Sequence, residues 1–324
     1  QQEKLNNQVA ELDVATSENS IQESIAQIYI QILYAAESVR VNENTLQVSI
    51  AQRDRGQELL NAGSIAKSDF AQLEAQVSTD RYQLVTAQAT LQDYKLQLKQ
   101  LLELDGENEM NIYLPALSDE NVLSPLPAKR DVYVSALALR PEIEASKLNV
   151  NASELLIDIA KSGYLPTVSL SAGIGTNHTS GSDFTFGEQV KNGWNNSIGL
   201  SVSVPIFNNR QTKSAVQKAK LQYETSMLSL LDEQKALYKT IEGLWLDANS
   251  AQQRYAAANE KLKSTQISYN LISEQFNLGM KNTVELLTEK NNLLQAQQEQ
   301  LQAKYMAILN TQLLKFYQGD KLAL

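Results

Sequence analysis

Two short stretches, Asn61-Ala62-Gly63-Ser64 and Asn277-Leu278-Gly279-Met280, decide the fold. Each lies where two long helical patterns meet, and the offset between the glycines is 279 − 63 = 216 residues. That offset runs back without a gap to the first residue. Gln1 matches Gln217, Lys4-Leu5 match Lys220-Leu221, Leu12 matches Leu228, Tyr29 aligns with Trp245, and Glu58 matches Glu274. The chain reads as two copies of one long helical hairpin. The segment ahead of the second copy has no counterpart ahead of the first.

The helices show their period outside these turns. Ile241, Ala248, Tyr255, Leu262, Tyr269 and Phe276 step by seven, and Leu244, Ala251, Ala258, Thr265 and Ile272 form the partner series. Alternating steps of three and four make the a/d seam of a coiled coil, and a strict heptad implies a left-handed supercoil. The helix from about residue 209 to 277 would be about 100 Å long at the usual rise. The return helix carries Leu287, Leu294, Leu301 and Ile308 and ends at Gly319, a suitable C-terminal cap. In the first copy Ile25, Ile32, Val39 and Leu46 keep the seam, then Arg53 breaks it, with Asn42, Ser49 and Gly56 on partner positions. A wider assembly with one face of each helix on water would tolerate this, and the many Gln, Asn, Ser and Thr residues off the seam fit such a wetted wall; an ordinary solvated face is the other reading.

Composition narrows the classes. The 324 residues hold 13 Gly and 6 Pro, clustered in the middle, so long helices dominate. A net charge of −9 argues against nucleic acid as a partner. The absence of Cys removes disulfides and thiolate chemistry. No apolar run reaches the length of a membrane-spanning helix. The single His, His178, sits in a polar loop and reads as a surface residue. There is no P-loop and no HExxH pattern, so no nucleotide, metal or cofactor is expected and no enzyme reading has residues to stand on.

Residues 104–140 break the helical pattern. Asp105-Gly106 ends the first hairpin, Pro115, Pro125 and Pro127 mark an irregular connection, and Pro141 starts a shorter helix that stops before Gly163. The period then changes to two. Val168, Leu170, Ala172 and Ile174 alternate with Ser and Gly, and so do Ile198, Leu200, Val202 and Val204, up to Pro205. These are two strands of about ten residues joined by a polar loop. Neither carries a charge between Thr167 and Gly175 or between Ile198 and Ile206. Apolar on one face and small-polar on the other, they match strands of a transmembrane β-barrel. Tyr164, Phe184, Phe186, Trp194 and Phe207 flank them where an aromatic girdle would sit. A plain hairpin packed on the helices is the competing reading. Two strands cannot close a barrel, so any barrel would be shared between chains.

Several linked motifs resemble the TolC family of outer-membrane efflux channels. They are Leu139-Arg140-Pro141-Glu142-Ile143, Leu165-Pro166-Thr167-Val168-Ser169-Leu170, Val202-Ser203-Val204-Pro205-Ile206-Phe207-Asn208, and the two tip turns. The resemblance implies a mainly α protomer of two coiled-coil hairpin repeats with a transmembrane β-hairpin. Three such protomers would make a twelve-stranded barrel on a twelve-helix periplasmic tunnel. Expected segments are 1–104, the first hairpin; 105–163, an equatorial connection and short helix; 164–207, the barrel hairpin; 208–319, the second hairpin; and 320–324, a tail. By the 216-residue offset, residues 104–216 lack a copy ahead of Gln1, so relative to the family pattern the chain reads as N-terminally truncated.

The resemblance also implies sites. Ala62, Gly63, Ser64, Leu278, Gly279 and Met280 stand where a periplasmic adaptor docks. Glu285 stands in an inward carboxylate ring at the periplasmic gate. Lys281 would tie the inner coil to Ser68 and Asp69 of the outer one. Thr288 takes the place of a second acid, and Phe276 that of a Tyr. The implied setting is a homotrimer in outer-membrane lipid with a periplasmic extension, in a Gram-negative bacterium, served by an adaptor and an inner-membrane pump. It would be a passive exit duct opened at the helical tips. The alternatives are a structural coiled-coil protein of a filament or fibre, and the adaptor itself.

Overall fold

The computed structural model describes residues 1–104, 112–113, 122–181 and 183–322. The expected break at Asp105-Gly106, Pro115 and the last two residues of the tail lie outside the described residues. In chain order the elements are α1 (Gln2–Asn61), α2 (Lys67–Leu101), α3 (Lys129–Leu139), α4 (Pro141–Ser162), β1 (Thr167–Gly175), α5 (Phe186–Asn192), β2 (Asn195–Ser203), α6 (Gln211–Asn277) and α7 (Thr283–Gln318). They fall into two compact units. One holds Gln1–Glu11 with Glu144–Glu233, the other Leu12–Ile143 with Gln234–Leu324.

The repeat is visible as backbone geometry. At the end of α1, Gly63 N–H donates to Leu60 and Ser64 N–H to Leu59; at the end of α6, Gly279 donates to Phe276 and Met280 to Gln275. This pair of bonds is the Schellman motif, which needs a left-handed residue at its centre. Gly63 and Gly279 supply it with φ of 73° and 74°. The return helices end the same way. Gly319 closes α7 at φ 102°, and 319 − 216 = 103, where Glu103 closes α2 at φ 51°. A side chain in this region is strained where glycine is not. Glu103→Gly is therefore expected to stabilise the α2 end by about 1 kcal/mol, read as slower amide exchange at 98–104.

The heptad seam forms the core of the larger unit. Tyr255, Leu301 and Ile308 pack with Ile30 and Leu33 in one cluster, and Ile241, Ala248 and Leu314 with Val132, Ala136 and Ile143 in a second. A third, at the tips, joins Leu73, Phe276 and Leu286. The partner positions of the polar stretch of α1, Asn42, Ser49 and Gly56, are buried within this chain. Asn42 and Ser49 are 4% and 2% exposed. Each has partners, Asn42 donating to the Ser38 carbonyl and Ser49 to Asp80. Gly56 lets the helices pack closely, since a Cβ there would meet Leu73 Cδ1.

Two helices fall where irregular chain was expected. α3 lies in the proline-marked connection, where Val132 and Ala136 share a buried face one turn apart. α5 lies inside the polar loop and starts on a capping box, in which Glu188 accepts from the Thr185 N–H at 3.0 Å and from the Thr185 hydroxyl at 2.8 Å.

The strands form an antiparallel pair, and β2 starts and ends earlier than the alternation alone indicates. It begins at Asn195 and stops at Ser203, leaving Val204 and Pro205 outside the ladder. The register pairs Val168 with Val202, Leu170 with Leu200 and Ala172 with Ile198 on one face, and Ser169 with Ser201, Ser171 with Gly199 and Gly173 with Ser197 on the other. Neither face is covered, with Leu170 at 75% and Ile198 at 84% exposed. A hairpin packed on helices would bury one of them. Beyond β2 the chain turns into α6 through two left-handed residues, Asn209 and Arg210, at φ 49° and 61°.

Candidate functional site: the paired hairpin tips

The tip turns expose their apolar side chains. Leu278 is 75% and Met280 70% exposed, and Ala62, Gly63, Ser64 and Gly279 are exposed with them. No heavy atom outside the local chain lies within 4 Å of a Cβ built on either glycine, so φ, not crowding, is what requires glycine.

Just beyond each turn the return helix begins on an acidic residue at its third position, Asp69 in α2 and Glu285 in α7, again 285 − 69 = 216 residues apart. The Asp69 carboxylate accepts from the Ala66 N–H at 3.4 Å. Glu285 makes the full capping box, its carboxylate accepting from the Asn282 N–H at 3.2 Å and its own N–H donating to the Asn282 side chain at 2.9 Å. Its other carboxylate oxygen pairs with the Lys281 ammonium at 2.5 Å. That hydrogen bond, and then the one from Asn282, hold the Glu285 carboxyl below the usual range.

Lys281, which the resemblance would tie to Ser68 and Asp69, takes a local partner within this chain. Lys281 turns to Glu285, four residues on and one helical turn away, while Asp69 is held by its own helix start. A partner within the same turn wins because little side-chain freedom is lost in reaching it. Thr288 donates to the Val284 carbonyl at 2.8 Å, so its hydroxyl serves its own backbone. Phe276 is 3% exposed, with Leu73 and Leu286 at 1% and 0%. It is a core residue that fastens one tip to the other.

Sequence reasoning missed a buried polar cluster further along the same hairpins. The Lys290 ammonium donates to Asp80 and to the Ser49 hydroxyl, Ser49 donates to the same Asp80 oxygen, and Gln76 donates to the other at 2.9 Å. Ser49, Asp80 and Lys290 are all within 3% exposure. One sign of it lay in the sequence. Lys290 stands three residues after Leu287, on a seam position where an apolar residue is the norm.

Comparison with known proteins completes the description. Residues 132–319 match the family described as Outer membrane efflux protein. The outer membrane efflux protein BepC of Brucella suis biovar 1 (strain 1330) is 24% identical over 294 residues, covering 90% of this chain and 61% of BepC. The outer membrane protein TolC of Escherichia coli (strain K12) is 24% identical over 315 residues, covering 93% and 62%. This chain thus spans under two thirds of the length of these relatives. A crystal structure of CusC, described with its transmembrane channel formation, superposes with a TM-score of 0.82 at 19% identity, covering 99% of this chain and 73% of that one.

Proposed function

The chain belongs to the outer membrane efflux protein family, and from that membership we propose that the polypeptide carrying it is one protomer of a homotrimeric exit duct in the outer membrane. In this reading residues 1–104 and 208–319 are two hairpins of a periplasmic tunnel, 105–163 the equatorial connection, 164–207 the barrel strands and 320–324 a tail. An adaptor docks on the exposed tip turns and couples the duct to an inner-membrane pump. The protein moves cargo passively and catalyses no reaction.

The observation that carries this reading is the β1–β2 hairpin, charge-free and exposed on both faces. An exposed apolar face of this kind is costly in water and favourable in hydrocarbon, with the Ser and Gly face turned to an aqueous lumen. Tyr164, Phe184, Phe186, Trp194 and Phe207, between 56% and 83% exposed, supply the interfacial belt. The test is extraction and reconstitution of the full polypeptide. A detergent-requiring trimer with discrete conductance steps in planar bilayers is expected; a detergent-free soluble rod without conductance would end this reading in favour of a coiled-coil fibre.

At the tip, Glu285 of each protomer supplies one carboxylate of an entrance ring, with Lys281, Ser68, Asp69, Thr288 and Phe276 around it. Three carboxylates on a narrow axis attract multivalent cations. Glu285→Gln is expected to weaken block by a trivalent cation about tenfold, measured as the concentration that halves single-channel current. Because Lys281 partly neutralises Glu285, Lys281→Ala should shift the same concentration the opposite way.

A further inference from the structure

Buried ion pairs are poor devices for stability. The desolvation of both charges offsets their attraction, and apolar residues of similar size serve as well or better. Such a pair is better understood by what it joins. Ser49 lies on α1 and Asp80 on α2, both of the first hairpin, whereas Lys290 lies on α7 of the second. Both Asp80 oxygens are engaged, one by Lys290 and Ser49 and the other by Gln76. A network satisfied in this way fixes one arrangement of its three helices, because any slip leaves a buried charge unpaired.

The repeat does not duplicate it. The 216-residue step takes Asp80 to Ala296, Ser49 to Thr265 and Lys290 back to Glu74. Ala296 is fully buried and Glu74 is exposed, so no second pair arises at the equivalent positions. Neighbouring contacts between the hairpins are neutral or use a backbone acceptor, with Gln52 donating to the Tyr269 hydroxyl at 2.9 Å and Arg55 to the Asn277 carbonyl at 3.3 Å. Lys290 also borders an open groove of about 180 Å³ lined in part by Thr45, Val48, Tyr269 and Leu293. Water entering there would rehydrate the ammonium once the hairpins part. Burial already pushes the Lys290 ammonium below its ordinary range, against the opposing pull of Asp80.

We propose that Lys290, Asp80 and Ser49 form a single buried latch that holds α7 against the first hairpin in one register, and that the duct's tip opens by parting it. The second half of this rests on the duct reading above; the first does not. Removing one charge leaves the other buried and unpaired in the closed arrangement, so each single variant favours separation. Removing both restores an apolar contact.

The test compares Lys290→Met, Asp80→Leu and the double variant in the full polypeptide, by amide exchange and by bilayer conductance. In each single variant, amides of 286–294 and 76–84 are expected to exchange about tenfold faster, and in the double variant to return to within about threefold of the parent. Ser49→Ala, which strands no charge, gives a milder increase and keeps the test open if a single variant fails to fold. Unchanged exchange in the variants, or a double effect equal to the product of the two singles, overturns the latch. Resting conductance should rise several-fold in each single variant and recover in the double. If the parent conducts and the single variants do not exceed it, opening does not require the latch to part. If exchange shows the coupling while the parent itself does not conduct, the latch stands and the duct reading falls.

Discussion

Arg140→Ala is expected to destabilise the unit that holds Leu12–Ile143 and Gln234–Leu324 by about 3 kcal/mol. The side chain is 6% exposed and its Nη2 donates to Glu23 at 2.7 Å. Its guanidinium lies 3.6 Å from the centre of the Tyr317 ring and 4.9 Å from that of Phe316. Nε lies 3.8 Å from Glu142, an electrostatic contact beyond hydrogen-bonding distance. One residue thus joins α1, the start of α4 and the end of α7. Its loss takes the cation from Glu23 and from two aromatic faces. The same enclosure pushes the Tyr317 hydroxyl up to about 12, through burial first and then the Glu23 charge, with Arg140 opposing. Trp245, which packs on the same cluster and donates to the Pro127 carbonyl at 3.0 Å, is a ready probe. A urea midpoint of its fluorescence close to that of the parent would contradict this account. Arg140→Lys should recover only part of the loss, because an ammonium cannot stack as a planar guanidinium does.

Phe276→Ala should cost about 3–4 kcal/mol locally, and its effect should cross from one hairpin to the other. Phe276 comes from α6, Leu286 from α7 and Leu73 from α2, all three nearly inaccessible to solvent. Deleting the ring leaves a void that three helices would have to collapse around, and α1 already packs against Leu73 at Gly56. Amide exchange should accelerate at 56–75 as well as at 272–290. Acceleration confined to 272–290 would mean that Phe276 supports only its own hairpin.

Much of this fold can be read from residues alone. Heptads from Ile241 to Phe276 and from Leu287 to Ile308 announce coiled-coil helices, and Gly63, Gly279 and Gly319 mark their ends because few other residues take a left-handed cap. Alternation from Val168 to Ile174 announces a strand of that length. α3 was hidden by Pro125 and Pro127 beside it, although its Val132–Ala136 spacing is helical. α5 announced itself only through Thr185 and Glu188, a capping box short enough to pass for a turn. The site was less legible. Lys281 has acidic or hydroxyl candidates on both hairpins, and which one it takes depends on side-chain reach. Lys290 and Asp80 are 210 residues apart, and no local pattern joins them.

The four Schellman ends carry a consequence for insertions and deletions. From Gly63 to Glu103 is 40 residues, and from Gly279 to Gly319 is 40 again. What the two copies share most strictly is a length; residue identity has drifted, even at the cap itself. The tip cluster sets the two turns side by side, so four residues added to one return helix would displace its turn by about 6 Å relative to the other. Homologous hairpins of this kind should therefore gain or lose residues in matched pairs, one change in each arm. A lone insertion would be tolerated only in the connections, where no partner measures it.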